Sequence, residues 1–144
     1  MDAESIITEV KSKLETDATL KAYIKVVYMG SRGSVWKTLF PNIIIEPIDN
    51  TSIYQDNGTK ESTLTLLIVG AQMVNNPEYQ IIGSGTFKGV MDMEADIKSV
   101  FTPLFPDLGC KCLSFMLSTI GYYTNETGQI RSVSIEAKFI YRED

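Results

Sequence analysis

Three acidic residues, Asp92, Glu94 and Asp96, are the nearest approach in this sequence to a pair of carboxyl groups that could perform acid–base catalysis. They stand among apolar residues at helical spacing, and positions one or two apart point in different directions around a helix. Carboxyl groups that diverge in this way cannot act together on one substrate. The sequence contains no His, which excludes Ser-His and Cys-His nucleophiles. We therefore predict no catalytic residue and a solvated helix face.

A glycine-rich segment, Gly83-x-Gly85-x-x-x-Gly89, precedes the same helical pattern, and a helix N-terminus can bind phosphate. Its spacing differs by one residue from the dinucleotide-binding fingerprint, and no Lys-Ser or Lys-Thr follows as in a P-loop. A loop that leads into the helix is the favoured interpretation. A small ligand-binding domain that uses this segment remains an alternative, and we predict no cofactor.

The two cysteines form Cys110-x-Cys112, and this one-residue gap is shorter than the gap of zinc knuckles. We interpret them as two reduced thiols at the start of a strand. The carboxylates of Asp49, Asp56 and Glu61 lack the spacing of an EF-hand loop. The sequence therefore predicts no metal site.

Size and charge narrow the remaining classes of function. The 144 residues, 44% apolar and 22% charged, are typical of one globular domain, which we assign to residues 1–144. The net charge of −5, without a basic run, disfavours direct binding to nucleic-acid phosphates. No apolar run is long enough for a membrane span, and the acidic N-terminus does not resemble a signal peptide. We expect synthesis in the cytoplasm and no membrane partner.

Two amphipathic helices are predicted from apolar residues at helical spacing. Residues 2–16 place Ile6, Val10 and Leu14 on one face, with Asp2 as a candidate N-cap. The second helix covers roughly residues 87–102 and is stopped by the prolines that follow it. Each helix therefore has one face that must pack against other parts of the chain.

Five strands are predicted between and after the helices. They include residues 23–28, an apolar strand from Asn42 that Pro47 ends, and a long strand over residues 63–74. Together with the helices, they predict an α+β fold: a mostly antiparallel sheet of about five strands, with two helices packed on one face.

The last two strands form the clearest pattern, an antiparallel hairpin around a break at residues 124–128. A symmetric loop would pair Leu117 with Ile135 and Phe115 with Ala137, so that the apolar faces agree. The other face carries small hydroxyls and few charges, which is unusual cover for a surface exposed only to water. We therefore predict a subunit contact at this face, with Ser132, Ser134 and Glu136 as candidate interface residues.

Residues 49–62 have no apolar period and are predicted to form a long polar loop that is functional or flexible. Tyr54 and Ile53 stand in this polar segment, and aromatic side chains in exposed loops are common at protein interfaces. We therefore predict a partner interface, which comprises Ile53, Tyr54, Asp56, Asn57 and, from an earlier turn-rich segment, Trp36.

The order of elements resembles that of the tail-terminator (tail-completion) proteins of long-tailed bacteriophages and of related neck proteins. The likeness covers nearly the whole chain. It rests on the N-terminal helix, the Pro41-x-Ile43-Ile44-Ile45-x-Pro47 segment, the long polar loop, the second helix and the closing hairpin. Tail-tube subunits and head-closure proteins share these small β-rich bodies and remain alternatives.

This resemblance implies a structural role in a virion. The expected protein forms a homo-oligomeric, typically hexameric ring on the last ring of the tail tube. There it stops tube elongation, contacts the tail-tube protein, and presents a surface to head–tail connector proteins at the head-proximal end of the tail. DNA would pass through an acidic bore without specific binding.

Overall fold

The computed structural model describes residues 1–30, 39–73, 82–83, 88–125 and 128–143. Trp36 and Gly85 lie outside these residues, so the predictions made for them are not tested. The elements in chain order are α1 (Ala3–Thr16), α2 (Ala18–Lys21), β1 (Val26–Met29), β2 (Asn42–Tyr54), β3 (Lys60–Met73), α3 (Val90–Phe101), a 3₁₀ helix (Thr102–Leu104), β4 (Ser114–Thr124) and β5 (Ile130–Arg142).

The strands of the described chain form one mixed sheet in the order β1-β2-β3-β5-β4. β1 pairs with β2 in parallel, and the other three pairings are antiparallel. The predicted α+β class and the mostly antiparallel sheet are therefore confirmed. β3 is the central strand, which explains why its second half is apolar on both faces.

Both amphipathic helices form where the sequence predicts them. The Asp2 side chain caps α1 by accepting a 2.7 Å hydrogen bond from the backbone N–H of Ser5, and this bond holds the pKa of Asp2 below its usual value. α3 begins later than predicted because Gly89 has an extended backbone and serves as the N-cap. No helix in the described ranges has the length and hydropathy needed to cross a membrane.

α1 and α3 pack on the same face of the sheet. Their buried residues meet alternate residues of the strands, which is the arrangement that a two-residue period requires. The contacting side chains include Ile6, Val10 and Leu14 of α1, Val90, Ile97 and Val100 of α3, Leu64, Leu66 and Ile68 of β3, and Val133, Ile135, Ala137 and Phe139 of β5. The main hydrophobic core therefore lies between these helices and the sheet.

A smaller cluster lies on the opposite face of the sheet. It contains Ile44, Leu67, Val69, Ala71 and Ile130, with Tyr28 and Phe40 packed against it. The sheet is therefore apolar on both faces near its middle, and the polar residues of this region are buried with it.

The prediction that Pro47 ends the second strand is wrong. β2 continues to Tyr54 and pairs with β3 throughout, with a bulge at Ile48 between Pro47 and Asp49. Proline is tolerated here because β1 ends opposite Ile45, so no strand of the described sheet lies on the outer side of β2 at Pro47. The predicted polar loop at residues 49–62 is therefore a β-hairpin with a short turn.

The closing hairpin is confirmed, but its predicted register is wrong. Leu117 pairs with Ala137 and Phe115 with Phe139, so β4 is displaced by two residues along β5. The asymmetric loop displaces the strands by three residues where Thr124 pairs with Arg131, and the bulge at Ile120 reduces the displacement to two. Because the shift between the bulge and Ser114 is even, the apolar residues there still face the core.

Candidate interaction surface

The three acidic residues of α3 diverge, as their spacing predicts, and each has a different partner. Asp92 accepts a 3.1 Å hydrogen bond from the backbone N–H of Gly89. Glu94 accepts from the Tyr122 hydroxyl and from Lys98, and Asp96 accepts a 2.7 Å hydrogen bond from the Tyr23 hydroxyl. The expectation of a solvated face is wrong in part, because all three side chains are half-buried.

These contacts shift the pKa values of the groups that make them. Burial, followed by the hydrogen bond to Asp96, raises the pKa of Tyr23. Burial alone would raise the pKa of Glu94, but the hydrogen bonds from Tyr122 and Lys98 outweigh it, so the pKa is lowered. The carboxylates therefore fasten α3 to neighbouring elements, Glu94 to β4 and Asp96 to the segment before β1.

The helix N-terminus that follows the glycine-rich segment already holds a negative group. The Asp92 carboxylate bonds to the N–H of Gly89, the N-cap residue of α3. An incoming phosphate would have to displace or repel this carboxylate. This contact weighs against the ligand-binding alternative.

The cysteines are both free thiols, but the prediction that they start a strand is wrong, because both lie in the turn before β4. Cys110 is exposed, and its sulfur lies 3.7 Å from the Asp107 carboxylate. Burial raises the pKa of Cys112 to about 11, so this thiol is protonated at neutral pH. Among the described residues, no three His, Cys, Asp or Glu side chains are grouped so that they could hold a metal ion.

The first exposed feature of the sheet is a β-hairpin arm, defined as residues 46–59. Its strand, residues 46–54, pairs with β3 alone in the described sheet because β1 ends opposite Ile45. Ile53 and Tyr54 are 72% and 74% exposed at the end of this strand. They lie together with the predicted interface residues Asp56 and Asn57 at the tip of the arm, and their role in an interface stays a prediction.

Hydrogen bonds hold the arm in one conformation. At its turn, the N–H of Gln55 donates to the Thr59 carbonyl at 2.8 Å, and the Asn57 side chain accepts from the N–H of Thr59 at 2.9 Å. Gly58 has a φ of +82°, a conformation that favours glycine. The turn at the tip of the arm therefore has a defined conformation, and Ile53 and Tyr54 are exposed next to it.

The second exposed feature is strand β4, the other edge of the described sheet. None of its residues is charged, and it presents apolar side chains to solvent, with Met116 63% exposed and Ile120 and Tyr123 about half exposed. Edge strands of monomeric proteins are usually protected by charges, prolines or cover, because their unpaired N–H and C=O groups can pair with another chain. The composition of β4 is therefore typical of an edge that pairs.

A groove of about 450 Å³ lies beside the Ser114 end of β4 and is called the aromatic groove. It is lined by Phe101 and Lys98 of α3, by Phe105, and by Phe115, Met116 and Leu117 of β4. The Phe105 ring is 64% exposed and meets the buried Phe115 ring edge-on, with centroids 5.6 Å apart. Exposed aromatic area over a buried ring is a feature of protein-binding surfaces.

The prediction that Ser132 and Ser134 face outward is wrong. They are 3% and 8% exposed, since they lie between Ala71 and Val69 of β3 on one side and β4 on the other. Glu136 is half-buried, with its carboxylate 3.6 Å from the Lys138 ammonium. The pattern misled because this face of the sheet carries the smaller apolar cluster, and the small hydroxyls beside Val69 and Ala71 are buried with it.

Sequence reasoning did not find Phe105 or Met116. The available signals were a strand without charges and an aromatic residue between Pro103 and Pro106. Neither signal indicates that a side chain is exposed to solvent, because a strand without charged residues is more often buried than exposed.

No protein-family model and no curated protein matches this sequence. The fold is similar to that of a chain in a solved structure described as the virion of a native gene transfer agent (GTA) particle. The TM-score is 0.53, and the match covers 93% of this chain and 92% of that chain at 9% sequence identity. The likeness therefore extends over the whole fold.

Proposed function

We propose that this chain is a structural subunit of a virion. The observation that carries the proposal is the likeness to the GTA virion chain, which covers 93% of this chain and 92% of the other. A match from end to end concerns the complete domain rather than a common motif within it. The order of elements, which resembles that of the phage tail-terminator proteins, supports the same class.

Within a virion, we propose the role of tail terminator. The chain would form a ring, typically hexameric, on the last ring of the tail tube, stop tube elongation, and contact head–tail connector proteins at the head-proximal end. Head-to-tail contacts in a ring need two different surfaces on each subunit, and the arm and β4 offer such a pair. The net charge of −5 supports the passage of DNA without binding.

We also propose that this role is structural and not catalytic. The contacts of Asp92, Glu94 and Asp96 support this, because each carboxylate binds a different part of the same molecule. A general acid or base must instead reach the proton of a substrate.

Electron microscopy of purified particles tests the proposed role. The chain would carry a peptide tag at its exposed N-terminus, and a gold-labelled antibody would mark its position. We expect label at the junction of tail and head. Particles made without the chain should carry tails of irregular, greater length. The role is refuted if the tag is absent from the head-proximal end of the tail.

The same images separate the alternatives. Label along the whole tail would identify a tail-tube subunit, and label on the head side of the junction would identify a head-closure protein. The ligand-binding alternative predicts that phosphate or nucleotides raise the melting temperature, since a ligand that binds the native state stabilises it. An unchanged melting temperature at millimolar ligand would exclude it.

A further inference from the structure

We propose that the arm of one copy of this chain pairs along β4 of a second copy. This inference rests on the proposed function for its setting, a ring of identical subunits. It adds the two surfaces that meet and their register. The contact is heterologous, because each copy gives its arm to one neighbour and receives an arm at β4 from another.

The directions of the strands favour this pairing. β2 is antiparallel to β3, β3 to β5, and β5 to β4, so β2 and β4 run in opposite directions. A second copy in the same orientation therefore brings its β2 beside β4 as an antiparallel partner. The sheet then continues from one subunit into the next with the pairing pattern that it already has.

The register within the sheet shows which residues would meet. Thr51 pairs with Thr63, Thr63 with Ile140, and Ile140 with Ser114, so these residues form one row across the sheet. A neighbour at the same level places its Thr51 opposite Ser114. Its Asn50 and Asp49 then lie opposite Phe115 and Met116, and its Ile53 and Tyr54 extend past the start of β4.

Charge complementarity supports a second copy as the occupant. The charged residues of the arm, Glu46, Asp49 and Asp56, are all acidic. On the receiving side, β4 carries no charge, and the exposed Lys138 and the half-buried Lys98 flank it. Asp49 lies in the same row across the sheet as Lys138 and Met116. The neighbour's Asp49, placed opposite Met116, would therefore approach the Lys138 ammonium across β4. Both lysines also pair with glutamates of their own elements.

Disulfide cross-linking tests the register directly. In a Cys110→Ser background, which removes the exposed native thiol, Thr51→Cys and Ser114→Cys are combined in one chain. Mild oxidation of the concentrated protein should give a ladder of covalent dimers, trimers and larger species, because each subunit contributes both thiols to different neighbours. Either single variant should give no ladder.

A matched control pair combines Thr51→Cys with Ser12→Cys, which places the second thiol on the exposed face of α1. Equal ladders from both pairs would indicate random collision and would overturn the proposal. A dimer from Ser114→Cys alone would overturn it in favour of a symmetric contact between two β4 strands. The absence of any ladder would also overturn it. Thermal unfolding of each variant confirms that the fold is retained.

The outcome also separates this inference from the proposed function. If the tag marks the head-proximal end of the tail and the Thr51–Ser114 pair does not cross-link, the function stands and the interface is refuted. If the ladder forms and the tag is absent from particles, the interface stands and the tail-terminator role is refuted.

Discussion

The hydroxyl of Tyr141 donates a 3.0 Å hydrogen bond to the side-chain carbonyl of Asn50. Tyr141 is fully buried in β5, whereas Asn50 lies on the exposed arm, and β3 separates the two strands. The bond therefore links the arm to a core residue on the other side of the central strand β3. The Ser52 and Ser62 hydroxyls, 2.9 Å apart, add a second link between the arm and β3.

The first prediction concerns this tie. Tyr141→Phe should lower the free energy of unfolding by about 1 kcal/mol, because one hydrogen bond is lost while the ring still fills its site. Urea unfolding measures the change, and amide hydrogen exchange should accelerate in residues 46–54. Tyr54→Phe, which removes an exposed hydroxyl at the tip, serves as the control and should change neither quantity.

The amphipathic helices and the core strands could be predicted from the sequence because their buried faces produce local periodicity. Ile6, Val10 and Leu14 show the helical period, and the buried residues of β5 show the strand period. The outer half of β2 has no such signal. Its residues are exposed on both faces, so it is a strand only because its backbone pairs with β3.

The candidate surface was predictable only in part. Ile53 and Tyr54 could be identified because apolar residues are unexpected in a polar segment. Phe105 and Met116 could not be identified, since the exposure of an apolar residue depends on which parts of the folded chain pack over it. The same cause explains the error at Ser132 and Ser134, whose burial depends on the strands at their sides.

The second prediction concerns Tyr23 and alkaline pH. Its pKa is raised above that of an unfolded tyrosine, so its stabilising contribution is complete below about pH 10 and falls as pH rises above that value. Tyr23→Phe should cost about 1 kcal/mol at pH 7, because the hydrogen bond to Asp96 is lost from a half-buried site. Between pH 10 and 11, the variant should lose less stability than the native chain does. Denaturant unfolding over this range measures both effects.

The third prediction concerns the turn before β4. Leu108, Gly109 and Cys110 have φ values of 52°, 65° and 68°, a conformation that is costly for residues with a Cβ atom. Cys110→Gly should stabilise the protein by about 0.5–1 kcal/mol, since the side chain is exposed and glycine adopts this conformation without strain. Cys110→Val should destabilise it, because a β-branched residue fits this conformation worst. Thermal unfolding under reducing conditions distinguishes the two variants.

The fourth prediction compares the two aromatic rings that meet at the groove. Phe115 is buried and contacts Phe101, Phe105 and Phe139, so Phe115→Ala should cost about 3–5 kcal/mol through the cavity that it leaves.

Phe105 covers Phe115 but is itself mostly exposed, so Phe105→Ala should cost less than about 1 kcal/mol in urea unfolding. Equal losses for the two variants would show that Phe105 belongs to the core. A small loss for Phe105→Ala, combined with slower cross-linking between Thr51→Cys and Ser114→Cys, would show that this ring is kept for a neighbouring subunit, because its own fold does not need it.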